Sequence, residues 1–361
     1  MIPLHLPVVA EAERPFVTRL RSGPAEERDA ATSYLLDEHA TSSTFAGRHG
    51  LIAVDGVAAA DLHGDIVLVQ PGAGRLERLL RARSRHNTLL VTERCDQLCV
   101  MCSQPPKKTH VDRFALFQEA CLLAEPGSLI GISGGEPTLY KDQLLDLIGN
   151  VLARRSDLQF HVLTNGQHFG PEDVERLRDP LYRRMSWGIP LYAPEAELHD
   201  ETVGKAGAFE RLEESMALLM LAGARVELRT VVLTTNLTVL PALARYVATR
   251  LGFVEIWSIM QLENIGFARN RWTRLFVDHR TGFEFVAAAL DHAALHAVPA
   301  QLFNFPRCCV PAAYRHLAVA SISDWKRKYV DACDSCRERE RCCGFFEWHP
   351  DSDANAGARP L

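Results

Sequence analysis

The sequence lacks any uninterrupted apolar run long enough to cross a bilayer, so a membrane-spanning role is not expected. It also lacks an excess of positive charge. Forty Lys and Arg stand against 45 Asp and Glu, a formal net charge of −5, which argues against a nucleic-acid-binding face. The opening residues, MIPLHLPVVAEAERPF, carry no basic stretch ahead of a short apolar run that Pro3 and Pro7 interrupt, unlike a secretory signal. A cytoplasmic address is therefore expected, and with it few structural disulfides. Ten cysteines in such a chain point instead to metal ligands or catalytic groups. The remaining composition, 47% hydrophobic and 24% charged, is that of a globular protein large enough for one α/β domain plus appendages.

The cysteines are clustered. Cys95, Cys99 and Cys102 form one group; Cys308, Cys309, Cys333, Cys336, Cys342 and Cys343 form another. Cys121 stands alone in the apolar-periodic stretch FALFQEACLLA, where a buried structural thiol is expected.

Three regions are expected along the chain. Residues 1–85 contain a Ser-, Ala-, Thr- and Glu-rich segment (22–45), then short apolar runs broken by glycine, and read as a small β-rich or α+β module of no legible role. Residues 86–300 alternate strands and helices. Strands are expected over 87–93, 129–135, 158–166, 185–192, 225–233 and 254–262. Helices are expected over 111–125, 142–155, 171–179, 208–223, 237–250 and 282–296. Six such units imply parallel βαβ crossovers and an α/β fold, a partial (β/α)6 TIM-like barrel. Residues 301–361 form a Cys-rich C-terminal extension, an expected auxiliary metal-cluster site.

Active sites of such barrels gather at the C-terminal ends of strands, and the unusual residues fall there. RCDQLCVMCSQPPKK follows the first strand and spaces its thiols Cys-x3-Cys-x2-Cys. Three thiolates that converge from a loop suit a four-iron cluster with one open iron; a structural zinc would need a fourth ligand such as His110. Gly134, Gly135 and Glu136 end the second strand. Paired glycines admit a ligand close to the backbone, and a carbonyl with a carboxylate suits a positively charged amino group. Thr164, Asn165 and Gly166 end the third strand, and Gln261 and Glu263 end the sixth, placed to face the pocket. His199 and Asp200 look like a catalytic pair, although a capped loop ahead of the next helix explains them equally.

In the extension, Cys333-x2-Cys336-x5-Cys342 follows Cys308 at a distance. Four thiolates suit a closed site, either an auxiliary iron–sulfur cluster or a structural zinc. Adjacent residues of an extended segment point to opposite faces, so one member of each Cys-Cys pair is expected to be a spectator.

Cys-x3-Cys-x2-Cys after the first strand, with GISGGEP after the second, resembles the signature of the radical S-adenosylmethionine (SAM) superfamily over residues of about 88 to 265. The resemblance implies a 4Fe-4S cluster on Cys95, Cys99 and Cys102 whose open iron binds SAM and cleaves it reductively to a 5′-deoxyadenosyl radical. It implies SAM contacts at Gly134, Gly135, Glu136, Thr164 and Asn165. Arg229 then becomes either a bidentate partner of the SAM carboxylate or a structural ion pair.

The stretches TERCDQLCVMCSQPPKK and ISDWKRKY, with the cysteine tail ending in GFF, resemble a narrower group: the His-Xaa-Ser system radical SAM maturases of the HxsC type. That likeness selects Cys308 over Cys309 and Cys342 over Cys343, and favours a second 4Fe-4S cluster over zinc. It implies a His-Xaa-Ser-type precursor peptide as substrate of post-translational modification, a companion radical SAM maturase, and an electron donor such as flavodoxin or ferredoxin. The alternatives are a radical SAM enzyme acting on a small molecule (a cofactor or nucleotide precursor) and a non-catalytic metal-cluster scaffold.

Overall fold

Short strands broken by glycine cannot bury a face alone, and at the N-terminal end they close on one another. A computed structural model describes residues 2–23, 29–39 and 41–361; residues 24–28 and 40, within the Ser-rich segment 22–45, lie outside the described residues. Strands β1 (His5–Ala10), β2 (Phe16–Arg21), β3 (Thr32–His39), β4 (Ser42–Gly47), β5 (Gly50–Asp55), β6 (Ile66–Gln70) and β7 (Arg75–Leu80) form a closed barrel. One short helix, α1 (Ala59–Leu62), bridges β5 and β6. Alternate residues such as Leu6, Val8, Phe45, Ile52 and Val54 fill its centre, and closure leaves no free sheet edge. Its outer face (Val17, Ile66, Leu68, Leu79) packs into the main core against Phe117 and the fully buried Cys121.

The main sheet holds seven parallel strands in sequential order: β8 (Asn87–Thr92), β9 (Leu129–Gly134), β10 (Gln159–Leu163), β11 (Met185–Pro190), β12 (Arg225–Val232), β13 (Ile256–Gln261) and β14 (Ala300–Phe303). β8 and β14 are not paired, so this is an open, partial barrel. The intervening helices are α2 (Phe114–Leu122), α3 (Lys141–Leu152), α4 (Pro171–Leu177), α5 (Ala196–Val203), α6 (Ala208–Ala222), α7 (Leu240–Arg250), α8 (Trp272–Leu275) and α9 (Glu284–Leu295). Outward side chains, among them Ile132, Val162, Trp187, Leu228 and Trp257, are wholly buried under helices, each worth roughly 1.5–3 kcal/mol. The six expected strand–helix units are present, with a seventh strand, β14, beyond them. Its four residues, AQLF, are too short to declare a period. Helix α5 also replaces the capped loop expected before α6.

The inward face is polar. His161, Glu227, Arg229 and Ser258 contact one another across β10, β12 and β13, with Gln301 of β14 joined through Ser258. A barrel interior normally filled by branched apolar layers here keeps groups that a ligand can use.

After β14 regular structure thins to single turns, the strand pair β15 (Arg327–Lys328) and β16 (Phe345–Phe346), and α10 (Asp351–Gly357). Its apolar clusters are small, Ile322, Cys343 and Phe346 with Trp348, and Val330 with Phe345. The extension is tied back by the bidentate pair of Arg81 with Asp324 (2.9 Å each) and by Lys326 to Glu263 at 3.8 Å. Among the described residues no helix is long and apolar enough to cross a membrane.

Candidate functional site

The loop after β8 carries all three cysteines of the first group, and neighbouring loops clamp its backbone. Leu98 N–H donates to Val203 O (3.0 Å) and Val100 N–H to Thr202 O (2.9 Å), at the end of α5. From the far side, Phe267 N–H donates to Cys102 O (2.9 Å) and Arg271 Nη1 to Val100 O (2.7 Å). This approach needs Gly266: its φ is +59°, and a Cβ there would lie 2.3 Å from Cys102 O. At the end of β9, Glu136 N–H donates to Arg94 O (2.7 Å), and a Cβ on Gly135 would fall 2.2 Å from that carbonyl. Burial, reinforced by the neighbouring thiols, pushes Cys99 up to about 12; burial likewise pushes Cys95 up to about 11 and raises Cys102. Three thiols that resist ionisation together are a donor set for a cationic centre, which removes that resistance. His110 does not join them: it stacks on Tyr140 at 3.9 Å and bonds Thr92 Oγ1 at 3.1 Å.

Glu136 differs from expectation. Its side chain is fully buried, and its carboxylate accepts from Thr138 N (2.8 Å), the Thr138 hydroxyl, Thr164 Oγ1 (2.7 Å) and Asn165 N (2.5 Å). It ties the ends of β9 and β10 together rather than facing open space. Asn165 Nδ2 in turn donates to Asp96 Oδ1 (2.8 Å), next to Cys95. Asp96 also meets Lys205 Nζ, and His168 Nε2 at 3.3 Å. Burial opposes charge on Asp96, yet the bonds from His168, Lys205 and Asn165 prevail and hold its carboxyl well below the usual range.

Arg229 adopts the ion-pair alternative. Its Nη1 lies 2.9 Å from both oxygens of Glu227, which also meets His161 Nε2 at 2.6 Å and the Ser258 hydroxyl. Burial works against charge on Glu227, but Arg229, His161 and Ser258 draw its carboxyl down to about 2. Gln261 is buried, and Glu263 binds Lys326 and Trp348 of the extension rather than standing free.

His199 and Asp200 do not form a pair. Asp200 caps the start of α6, accepting from Gly207 N (2.6 Å) and Phe209 N (2.8 Å). His199 is buried, accepts weakly from Tyr192 N (3.4 Å), and burial holds it down to about 4. The unfolded chain protonates this ring near 6.5, while the native protein does not until about 4. Its stability contribution is therefore complete above pH 6.5 and falls as pH drops through that window, by roughly 3 kcal/mol in all. His279 and His349 act in the same direction. Unfolding titrations between pH 7 and 4 are expected to show this loss, with a shallower slope in His199→Gln; identical slopes would contradict it.

In the extension, Cys308, Cys333, Cys336 and Cys342 line one cavity. Cys309 and Cys343 lie outside it; Cys343 is wholly buried beside Ile322 and Phe346. The Cys343 thiol, together with the amides of Arg307 (3.3 Å) and Gly344 (3.4 Å), draws Cys342 down to about 6 against its burial. The Cys309 thiol does the same to Cys308, drawn down to about 7. Among the described residues no three His, Cys, Asp or Glu side chains stand as one ion requires. The four cysteines share the wall of one cavity.

Residues 89–243 match the radical SAM superfamily. That match covers 155 of the chain's 361 residues. The AdoMet-dependent heme synthase of Methanosarcina barkeri (strain Fusaro / DSM 804) is 30% identical over 156 residues, 41% of this chain and 42% of that protein. The protein of the same name from Oleidesulfovibrio alaskensis is 29% identical over 152 residues, 41% of this chain and 38% of that one. The chain thus spans about two fifths of the length of these curated relatives. Streptococcus suis SuiB bound to S-adenosylmethionine shares the fold, with a TM-score of 0.51 at 14% identity over 64% of this chain and 53% of SuiB. The radical SAM match begins on β8 and ends in α7, enclosing the clamped cysteine loop and the Glu136 junction.

Proposed function

We propose that the protein is a radical SAM enzyme that holds a 4Fe-4S cluster on Cys95, Cys99 and Cys102 and binds SAM at its open iron. The observation that carries this is the placement of all three cysteines on one loop clamped from both sides, beside strand ends joined through Glu136. When bound, the cluster supplies the electron that splits the sulfonium of SAM and releases a 5′-deoxyadenosyl radical. The chain's own residues position the cofactor. Gly134 and Gly135 let the end of β8 and the start of the cysteine loop, at Thr92 and Arg94, pack directly on the end of β9, while Glu136 fixes Thr164 and Asn165 as the cofactor's next contacts. Arg229 meets Glu227 through Nη1 alone in these bonds and stays 19% exposed, leaving donors for the SAM carboxylate.

Cys308, Cys333, Cys336 and Cys342 hold a second 4Fe-4S cluster, the reading supported by a shared cavity that leaves Cys309 and Cys343 outside. The substrate in this reading is a His-Xaa-Ser-type precursor peptide, modified with a companion maturase and a flavodoxin or ferredoxin as electron donor. Its support is the likeness to HxsC-type maturases, which runs from about residue 50 through both cysteine groups. A second reading, a small-molecule substrate, is favoured by the name of the two curated relatives, AdoMet-dependent heme synthase.

The test is anaerobic purification with iron and sulfide counts, followed by SAM and dithionite. About eight irons per chain and formation of 5′-deoxyadenosine support both clusters; protein that binds no iron and leaves SAM intact overturns the enzyme reading. Candidate peptides and tetrapyrrole precursors are then compared for the product each yields. Cys336→Ala is expected to keep SAM cleavage, lose about four irons and loosen residues 304–361 to proteolysis, since so small an apolar core depends on its metal. Loss of SAM cleavage with the first cluster loaded would overturn that division of labour.

A further inference from the structure

The cavity of the second cysteine group is closed on one side by residues 358–361, which no part of the functional reading uses. Ala358, Arg359, Pro360 and Leu361 line it together with the four thiols. Leu361 N–H donates to Cys336 Sγ at 3.4 Å, and Arg359 lies on the same cavity wall as Cys308. Arg337 N–H holds the segment by its bond to Leu361 O at 2.9 Å, and Ala358 packs on Val330 and Phe345. The helix that delivers the segment, α10, is itself anchored, through Lys328 to Asp351 (2.6 Å) and Trp272 Nε1 to Asp353 (3.1 Å). On the opposite side, the amides of Arg307 and Gly344 meet Cys342.

We propose that residues 358–361 are a strap that shields the second cluster from solvent and donates the Leu361 amide to its ligand Cys336. The inference rests on the reading of that cavity as a cluster site. Amide bonds to ligand sulfurs favour the reduced, more negative cluster, and cover keeps out water and oxidants. The strap therefore sets both the potential and the lifetime of the cluster.

The experiment uses reconstituted protein with the iron of the Cys95 group as internal reference. A chain ending at Gly357 should release the second cluster's iron to a ferrous chelator on the order of tenfold faster than the full chain, the effect of losing the one bond from Leu361 to a charged acceptor. Leu361→Pro removes one N–H while most of the cover stays. It should shift the midpoint potential of the second cluster, read by EPR-monitored titration, to a more negative value at unchanged iron content. Both variants matching the full chain in release rate and potential would overturn the strap while leaving the second cluster standing. A full chain with only four irons, or with four irons and one zinc, would instead overturn the cluster reading, and the strap with it.

Discussion

Cys99→Ala is expected to abolish 5′-deoxyadenosine formation while the barrel still folds. Cys99 is the most strongly perturbed thiol of its group and sits at the centre of the loop, flanked by the two backbone bonds to α5. Two remaining thiolates cannot hold a four-iron cluster with one site left open, so activity should fall by at least about a thousandfold, to background. The loop backbone does not depend on the side chain. Its clamps run through Leu98, Val100, Cys102 and Gly266, and none uses the Cys99 sulfur. Circular dichroism and the unfolding midpoint should therefore stay near those of the parent protein. Retained SAM cleavage by this variant would remove the first cluster from the mechanism.

Glu136→Ala is expected to carry the largest structural cost of any single change at the site. The carboxylate serves four donors in a volume without solvent, and its removal leaves Thr138 N, Thr164 Oγ1 and Asn165 N without their acceptor. Leaving such buried donors without an acceptor costs about 1–3 kcal/mol for each. Glu136→Gln distinguishes organisation from direct contact. A glutamine keeps the shape but turns an NH2 group toward the Asn165 N–H, donor against donor. The Gln variant should then lose stability and SAM affinity together, nearly as much as Ala. If Glu136→Gln keeps native stability and loses only SAM affinity, the carboxylate meets the cofactor directly and the positioning role is wrong.

The three parts of the chain meet at few but buried points. Arg81, just beyond β7, is buried and grips Asp324 with both terminal nitrogens, linking the N-terminal barrel to the extension. Lys326, two residues on, lies over the Trp325 and Phe346 rings and reaches Glu263 beyond β13. The surroundings of the second cavity are thus joined to the end of the sixth barrel strand.

Much of this was written in the linear order of the residues. Cys-x3-Cys-x2-Cys, the Gly134-Gly135-Glu136 turn and the alternation of strands with helices are local patterns. Period and spacing are set by backbone geometry over a few residues, so they are legible without a fold. The closed N-terminal barrel was legible only as short strands, because β1 meets β7 and β2 runs parallel to β3, pairings that no local period encodes.

Only the tertiary structure decided which groups are free and which are taken. In sequence Glu136 looks like a cofactor contact and Asp200 like half of a catalytic pair, and both prove to be acceptors for backbone amides. The clamp on the cysteine loop comes from Gly266 and Arg271, more than a hundred residues away, and no spacing rule connects them to Cys102. Cys308 and Cys342, the members of each Cys-Cys pair that the family likeness selects, line the cavity of the extension, while Cys309 and Cys343 do not. Spacing along the chain determines what can converge. Burial and the donors around each group determine its charge and its availability, and those belong to the packed molecule alone.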